Sequence, residues 1–312
     1  MKTFLGKLGI KEDTVTALDS LVSDRILVMD GDASCYEAAT TVVKLDTALR
    51  RVEEKILAAM YLTQSPTARV HITPEGSYKA GRHLYVGAQP YQANRDPNAK
   101  PPLLAPIRKA LKGYIESKYP EITVIENFNL EADDGIIIDS CKLKEEVVVW
   151  SPDKDLRVTP ASYYEISTGV IDTIPDRFGY IEIGSTETGN NKPKGHGTKF
   201  FWWQMLMGDT ADNIKGLKSY KGKSIGAVRA YNLIKDIKDE QDCANFVLEC
   251  YKSINQNPLP EGSLLWLLRD EHDSFVNYLK EFDFNQEIKE FLHDCYLRKW
   301  QEDPRRLCSE DN

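Results

Sequence analysis

Leu130-Glu-Ala-Asp-Asp-Gly-Ile-Ile-Ile-Asp-Ser140, followed by Glu146-Val-Val-Val-Trp150 and Ser151-Pro-Asp-Lys-Asp-Leu156, predicts a helix, a strand and a turn in that order. Glu131, Asp133 and Asp134 precede the apolar run Ile136 to Ile138. They therefore fall in a first helical turn, where the backbone dipole favours negative charge. Val147 to Trp150 is the β-branched run of a strand buried on both faces. Asp153 and Asp155 follow at its carboxyl end, where open α/β sheets place their ligands. If helix start and strand end share one edge of the sheet, the acids converge. So many carboxylates share a site only when cations neutralise them, because close like charges raise one another's pKa and strain the fold. Each cluster alone also reads as an ordinary cap or turn. The two together, with two further acidic sites, carry the argument.

The first of those sites lies upstream. Arg25-Ile-Leu-Val-Met-Asp30 is a buried-strand pattern ending in acid, and Gly31 and Asp32 follow. A carboxylate at a strand end, with Gly permitting close approach, suits a metal ligand. Before it stands a polar lead with helical character. Residues 33–62 read as a core helix, Arg69 to Thr73 as a second strand, Ile107 to Tyr119 as a basic helix and Ile122 to Glu126 as a third strand. Together these predict an α/β fold with a mostly parallel sheet.

The chain has 312 residues, room for one large domain or two, and its 41% hydrophobic and 28% charged content is that of a soluble globular protein. No apolar run reaches membrane-span length and the start lacks a signal-peptide core, so no membrane partner is expected. Six cysteines without a CxxC pairing read as reduced thiols of a cytoplasmic protein. The net charge of −8 argues against nucleic acid only as a global sum. Between Asn213 and Lys238 stand seven basic residues, Lys215, Lys218, Lys221, Lys223, Arg229, Lys235 and Lys238, against the single acid Asp236. A local patch of this kind binds phosphate on an acidic protein.

From Pro74 to Pro106 periodicity fails, and Lys79, Arg82, Tyr85, Tyr91, Arg95 and Lys100 interleave cations with rings. That composition suits a single-strand channel, cations tracking phosphates and rings stacking on bases, although a solvated loop has the same polarity. Downstream, Tyr163 to Ser167 and Val170 to Ile174 form a predicted hairpin, and residues 184–198 a flexible polar insert. The aromatic helix Phe200 to Met207 ends at Gly208, and Asp209 and Asp212 sit in the turn beyond it. A Gly-bearing turn opens a second helix by Ile234. Backbone N–H groups at that helix start, with Lys223 and Arg229, make a phosphate cradle without base readout.

Taken in order, Val28-Met-Asp30-Gly-Asp, Tyr91-Gln-Ala-Asn-Arg95, Glu131-Ala-Asp-Asp134, Ser151-Pro-Asp-Lys-Asp155, Gly208-Asp-Thr-Ala-Asp212 and Ile225-Gly-Ala-Val-Arg229 resemble the 5′-nuclease or flap-endonuclease superfamily, in its phage-type 5′→3′ exonuclease branch. The resemblance spans about Ile26 to Ile234. It implies a PIN-like α/β core over residues 1–205, an arch at 74–106 and a helix–three-turn–helix DNA-binding element at 206–240. Residues 241–312 are expected to form a helical region packed on the core, with a frayed tail from Gln301. The resemblance also implies two Mg²⁺ ions, with Mn²⁺ able to substitute. Asp30, Glu131 and Asp133 match ligands nearer the first ion. Asp153, Asp155, Asp209 and Asp212 match those nearer the second, and Asp134 matches an acid acting through water. Tyr91, Gln92, Lys215, Lys218, Lys221, Lys223, Ser224, Gly226 and Arg229 are the expected DNA-binding residues, and by the resemblance the helix–three-turn–helix can hold K⁺. Carboxylates suit Mg²⁺, which takes oxygen ligands and keeps waters.

The pattern departs from the family in three places. The second strand ends Ile72-Thr-Pro-Glu75 where the family has Asp, which leaves Glu75 as the substitute. Gln92 stands where the arch commonly carries Lys, so the charge on the scissile phosphate falls to Arg95, or to Lys79 and Arg82. Ser224 replaces the first Gly of the cation site. The implied activity is a metal-dependent 5′→3′ exonuclease and flap endonuclease on duplex DNA with a free 5′ end or flap, or on an RNA–DNA hybrid. It would be a monomer in the cytoplasm, that of the host if phage-encoded, serving replication, primer removal or recombination. A structure-specific DNA-binding protein with weakened chemistry, or a PIN-like ribonuclease, remains the alternative.

Overall fold

The computed structural model describes residues 21–96, 99–185 and 191–302. The polar lead up to residue 20 and the tail from 303 therefore lie outside the described residues, as does Cys308.

Strands form where the sequence offers apolar residues on both faces. β1 (Ile26–Asp30), β2 (Thr67–Ile72), β3 (Ile122–Glu126), β4 (Val147–Trp150) and β5 (Ser162–Glu165) run parallel, and β6 (Val170–Thr173) closes the edge antiparallel to β5 in the order β3-β2-β1-β4-β5-β6. The pleat distributes their side chains. Leu27, Met29, Val148 and Trp150 enter one core with α1 (Gly31–Thr41), α2 (Leu45–Thr63) and α3 (Leu104–Glu116), while Val28, Val147 and Val149 meet α4 (Ala132–Leu143) on the other face. Both faces of β4 are buried, as its four consecutive bulky residues require.

A third core lies beside this sheet. α5 (Gly197–Met207) packs with α6 (Ala227–Ile234), α7 (Glu240–Ser253), α8 (Pro258–Leu265), α9 (Phe275–Leu279) and α10 (Gln286–Leu297). Trp202, Trp203, Tyr251 and Tyr278 are its largest fully buried members. Trp202 and Tyr251 satisfy their polar ends on the Tyr278 hydroxyl and the Met205 carbonyl, as buried rings of this kind must.

Two expectations are corrected. The helix expected over 33–62 is two helices, because Thr40-Thr-Val-Val43 is β-branched and Thr40 and Thr41 turn their hydroxyls back on Glu37. The described part of the insert at 184–198 belongs largely to a ribbon, β7 (Tyr180–Ser185) antiparallel to β8 (Asn191–His196), running into α5. The described part of the region expected to be helical from 241 onward holds α7, α8, α9 and α10, with Ser274 and Asn285 as side-chain caps of the last two. Elsewhere β3 and β4 carry the expected bounds. Cys35, Cys141, Cys243, Cys250 and Cys295 are free thiols, and among the described residues no helix is long and apolar enough to cross a membrane.

Candidate active site

The sheet reverses its direction of winding between β1 and β4, and such a switch point opens a crevice at the carboxyl ends of the strands. Asp30 ends β1 at that crevice and Asp153 follows β4. The Asp30 carboxylate accepts the Ala33 N–H at 2.9 Å and the Ser151 hydroxyl at 2.8 Å, so it caps α1 and ties the two strand ends together. Burial pushes its pKa up to about 6, with Asp32 and Asp153 adding repulsion. Asp133, in the first turn of α4, is raised well above the carboxylate range, first by burial and then by Asp30, Asp153, Glu131 and Asp134. Burial and the neighbouring Asp153 bring Asp155 up to about 6. Asp209 is raised by burial and by Asp212 and Asp153, against the lowering pull of Lys154. The expected convergence of the acids is thus visible in their mutual repulsion.

The acids divide by partner. Asp30, Asp133, Asp153 and Asp209 form no ion pair among the described residues. Glu131 meets Lys79 at 3.4 Å and Arg82 at 3.0 Å, Asp155 meets Lys154 at 2.8 Å, and Asp212 meets Arg95. Asp134 is wholly buried and receives Arg82 through both guanidinium arms, at 2.6 and 2.7 Å. It also accepts the Leu268 N–H and closes a capping box on Glu131.

Arg82 is 2% exposed and also donates to the Trp266 carbonyl. This corrects its expected role: the guanidinium is spent on a buried pair and is withheld from a phosphate. Asp134, expected among the metal ligands, is likewise committed to Arg82. Glu75 is exposed, and the second-strand position is met differently, with the Thr73 hydroxyl accepting the Ala132 N–H that opens α4 and the Thr73 N–H donating to Asp32 at 3.0 Å.

The polar segment lies across the acids. Tyr91 donates its hydroxyl to Glu131 at 2.9 Å, and Gln92 donates to Asp212 at 3.0 Å while accepting the Lys79 ammonium at 3.0 Å. Backbone and amide bonds strap it down: Gln92 N–H to the Asp212 carbonyl, Asn94 to the Thr210 carbonyl and Asn213 to the Pro90 carbonyl. The base of the segment is held by Glu261, a buried carboxylate that accepts N–H groups from both Ala88 and Gly216. Sequence reading missed Glu261, whose partners lie far away along the chain.

Between α5 and α6 the side chains of Lys215, Lys218, Lys221, Lys223 and Ser224 are exposed. Gly226 is the N-cap position of α6. Arg229 donates to the Ser224 and Tyr220 carbonyls, and so holds the shape of the loop rather than reaching outward as expected.

Among the described residues no three His, Cys, Asp or Glu side chains stand as a ready-made metal cage. The donor set nevertheless fits a hard divalent cation that keeps several waters, since it consists of carboxylates, four of them without a cation of their own.

The mostly parallel α/β fold with its switch-point crevice is shared with a solved 5′-nuclease structure from a phage. The particular likeness is to the zinc-bound 5′-exonuclease of bacteriophage T5, 17% identical, covering 87% of this chain and 98% of that one with a TM-score of 0.50. Two further T5 structures align similarly: the D15 protein with metal ions, at 17% identity, 87% and 98% coverage and a TM-score of 0.48, and a D15 flap endonuclease variant with DNA and metal ions, at 19%, 86% and 99%, and 0.48. No family model and no curated protein matches the chain.

Proposed function

We propose that the protein is a divalent-metal-dependent 5′→3′ exonuclease and flap endonuclease acting on DNA. The observation that carries this is the gathering of Asp30, Asp133, Asp153 and Asp209, without cations, at the switch point of a sheet whose fold is shared with a zinc-bound 5′-exonuclease. Clustered acids left uncompensated in a half-buried crevice are costly, and a resident cation removes that cost.

Asp30, Glu131 and Asp133 would hold one ion, and Asp153, Asp155, Asp209 and Asp212 the other. Such ions, Mg²⁺ with Mn²⁺ as substitute, supply an activated water and neutralise the leaving oxygen of a phosphodiester. The chain's own residues do the rest. Ser151 fixes the Asp30 carboxylate in its rotamer. Lys79, held by Gln92 beside Glu131, and Arg95 on Asp212 are the cations free enough to swing onto the scissile phosphate, being 36% and 52% exposed. Tyr91 offers a ring for a base, and the exposed lysines from Lys215 to Lys223 grip the duplex backbone, so affinity falls steeply with salt. Ser224 and Gly226 border the turn where K⁺ would bind. A monomer working in the cytoplasm on branched DNA, or on RNA in a hybrid, completes the reading, as does a nuclease core over 1–205 with a helix–three-turn–helix element at 206–240 and a helical region at 241–312 packed on the core.

The test is cleavage of 5′-labelled duplex and 5′-flap DNA by purified protein in Mg²⁺, Ca²⁺ or EDTA. Short 5′ products in Mg²⁺, with binding but no cleavage in Ca²⁺, are expected. Tight binding without product in either Mg²⁺ or Mn²⁺ would replace the nuclease by a DNA-binding module.

A further inference from the structure

Arg108 stands on the first turns of α3, the helix that directly follows the polar segment, and it approaches the acids from the β1–β2 side. Lys79, Arg82 and Arg95 gather instead on Glu131, Asp134 and Asp212. The Arg108 Nε lies 2.9 Å from Asp32 Oδ1, yet its N–H is not aligned on that oxygen and the buried Nε makes no hydrogen bond. The contrast with Arg82, which delivers two short aligned bonds to Asp134, is direct. Arg108 touches its carboxylate with an Nε that has no aligned acceptor. Asp32 Oδ1 is meanwhile occupied by the Thr73 N–H, which pins the carboxylate to the end of β2. The pair is part-open to solvent, with side-chain exposures of 23% and 22%.

Buried donors in native proteins find acceptors, and one left over beside a crevice marks the place of an absent partner. Asp32 sits against Asp30, one of the uncompensated acids, so a strand whose phosphate reaches those acids passes within reach of the guanidinium. The guanidinium is a planar fork that matches two phosphate oxygens at once. We infer that Arg108 binds a phosphodiester of the substrate strand next to the acid cluster, and that Asp32, anchored on Thr73, is the positioning residue that aims it. This rests on the nuclease reading above and adds a contact beside Asp32 and Thr73.

The experiment is binding of a labelled 5′-flap DNA in Ca²⁺ across a salt series, with cleavage in Mg²⁺ and a melting curve for each variant. Wild-type protein must bind and cleave; if it does neither, the nuclease reading itself fails. Given an active wild type, Arg108→Ala is expected to weaken binding about tenfold and to reduce the salt slope by about one. Arg108→Lys keeps the charge and so keeps the slope while losing part of the affinity. Asp32→Asn leaves the slope intact and raises KM more than it lowers kcat, as mis-aiming predicts. An Arg108→Ala protein with wild-type slope and affinity overturns the inference. Should that variant fold poorly, an Arg108→Lys protein that melts normally but loses a full unit of slope overturns it equally.

Discussion

Two groups of acids share one crevice and behave differently. Glu131, Asp134 and Asp212 are held by Arg82, Lys79 and Arg95, whereas Asp30, Asp133, Asp153 and Asp209 repel one another with no direct cation. The first group neutralises itself inside the fold. The second spends fold stability, because burial and close like charges raise Asp30, Asp133 and Asp209 above the usual carboxylate range. The difference separates acids that hold the polar segment in place from acids that carry no cation of their own.

The sharpest way to break that division is to neutralise one member of each group. Asp153→Asn should abolish cleavage, a loss of at least about a thousandfold, since a ligand set missing one oxygen cannot hold its ion in place. DNA binding in Ca²⁺ should survive within about threefold, because the backbone grip lies elsewhere. A variant that cuts at the normal rate would remove Asp153 from the site. Arg82→Met acts on the other group and on stability. It strands Asp134 as an unpaired buried charge, and breaking such a pair costs about 3–5 kcal/mol. A chemical-denaturation midpoint within error of wild type would show that the buried pair carries no such role.

The next prediction concerns pH. Asp30 and Asp155 each sit near 6 when folded, above their unfolded values. Groups raised in this way contribute stability that is fully present below the unfolded pKa and is lost as pH rises through the folded one. In EDTA, lowering the pH from 7.5 to 5.5 should therefore raise the melting temperature, by about 3 °C if the two together supply about 1 kcal/mol over that span. Mg²⁺ reverses the trend, stabilising more at 7.5, where the carboxylates are charged. A melting temperature flat with pH in EDTA would mean that a partner outside the described contacts already compensates them.

Much of this was legible in the residues. The strand at Val147 to Trp150, the capped start of α4 and the acids following β1 and β4 are local signals, set by periodicity and by charge at element ends. What escaped were contacts between distant segments. Nothing near Arg82 announces that it is buried, because its burial depends on Asp134 and on a carbonyl 184 residues further along. Asp32 and Arg108 went unmarked for the same reason, though Asp32 lies two positions after a singled-out acid. The Gln92 departure read as a missing charge; the structure shows an amide that accepts Lys79 and donates to Asp212, a combination that an ammonium at that position could not make.

The smallest expected effect tests whether the strap belongs to the self-neutralisation of Glu131, Asp134 and Asp212 or only rests on it. Asn94 and Asn213 each donate one 2.7 Å bond, to the Thr210 and Pro90 carbonyls, and both bonds are exposed. An exposed neutral hydrogen bond contributes about 0.5–1 kcal/mol, so Asn94→Ala with Asn213→Ala should move the melting temperature by only about 2–4 °C. The change should show instead as faster protease nicking between Pro90 and Asp96, since local opening there depends on few buried contacts. If the charged contacts of Arg95 and Gln92 hold the segment by themselves, nicking stays at the wild-type rate and the amides are incidental. If nicking rises while cleavage of flap DNA is retained, the strap is a latch over Asp212 that substrate must open, and the acids it covers become accessible only once it has moved.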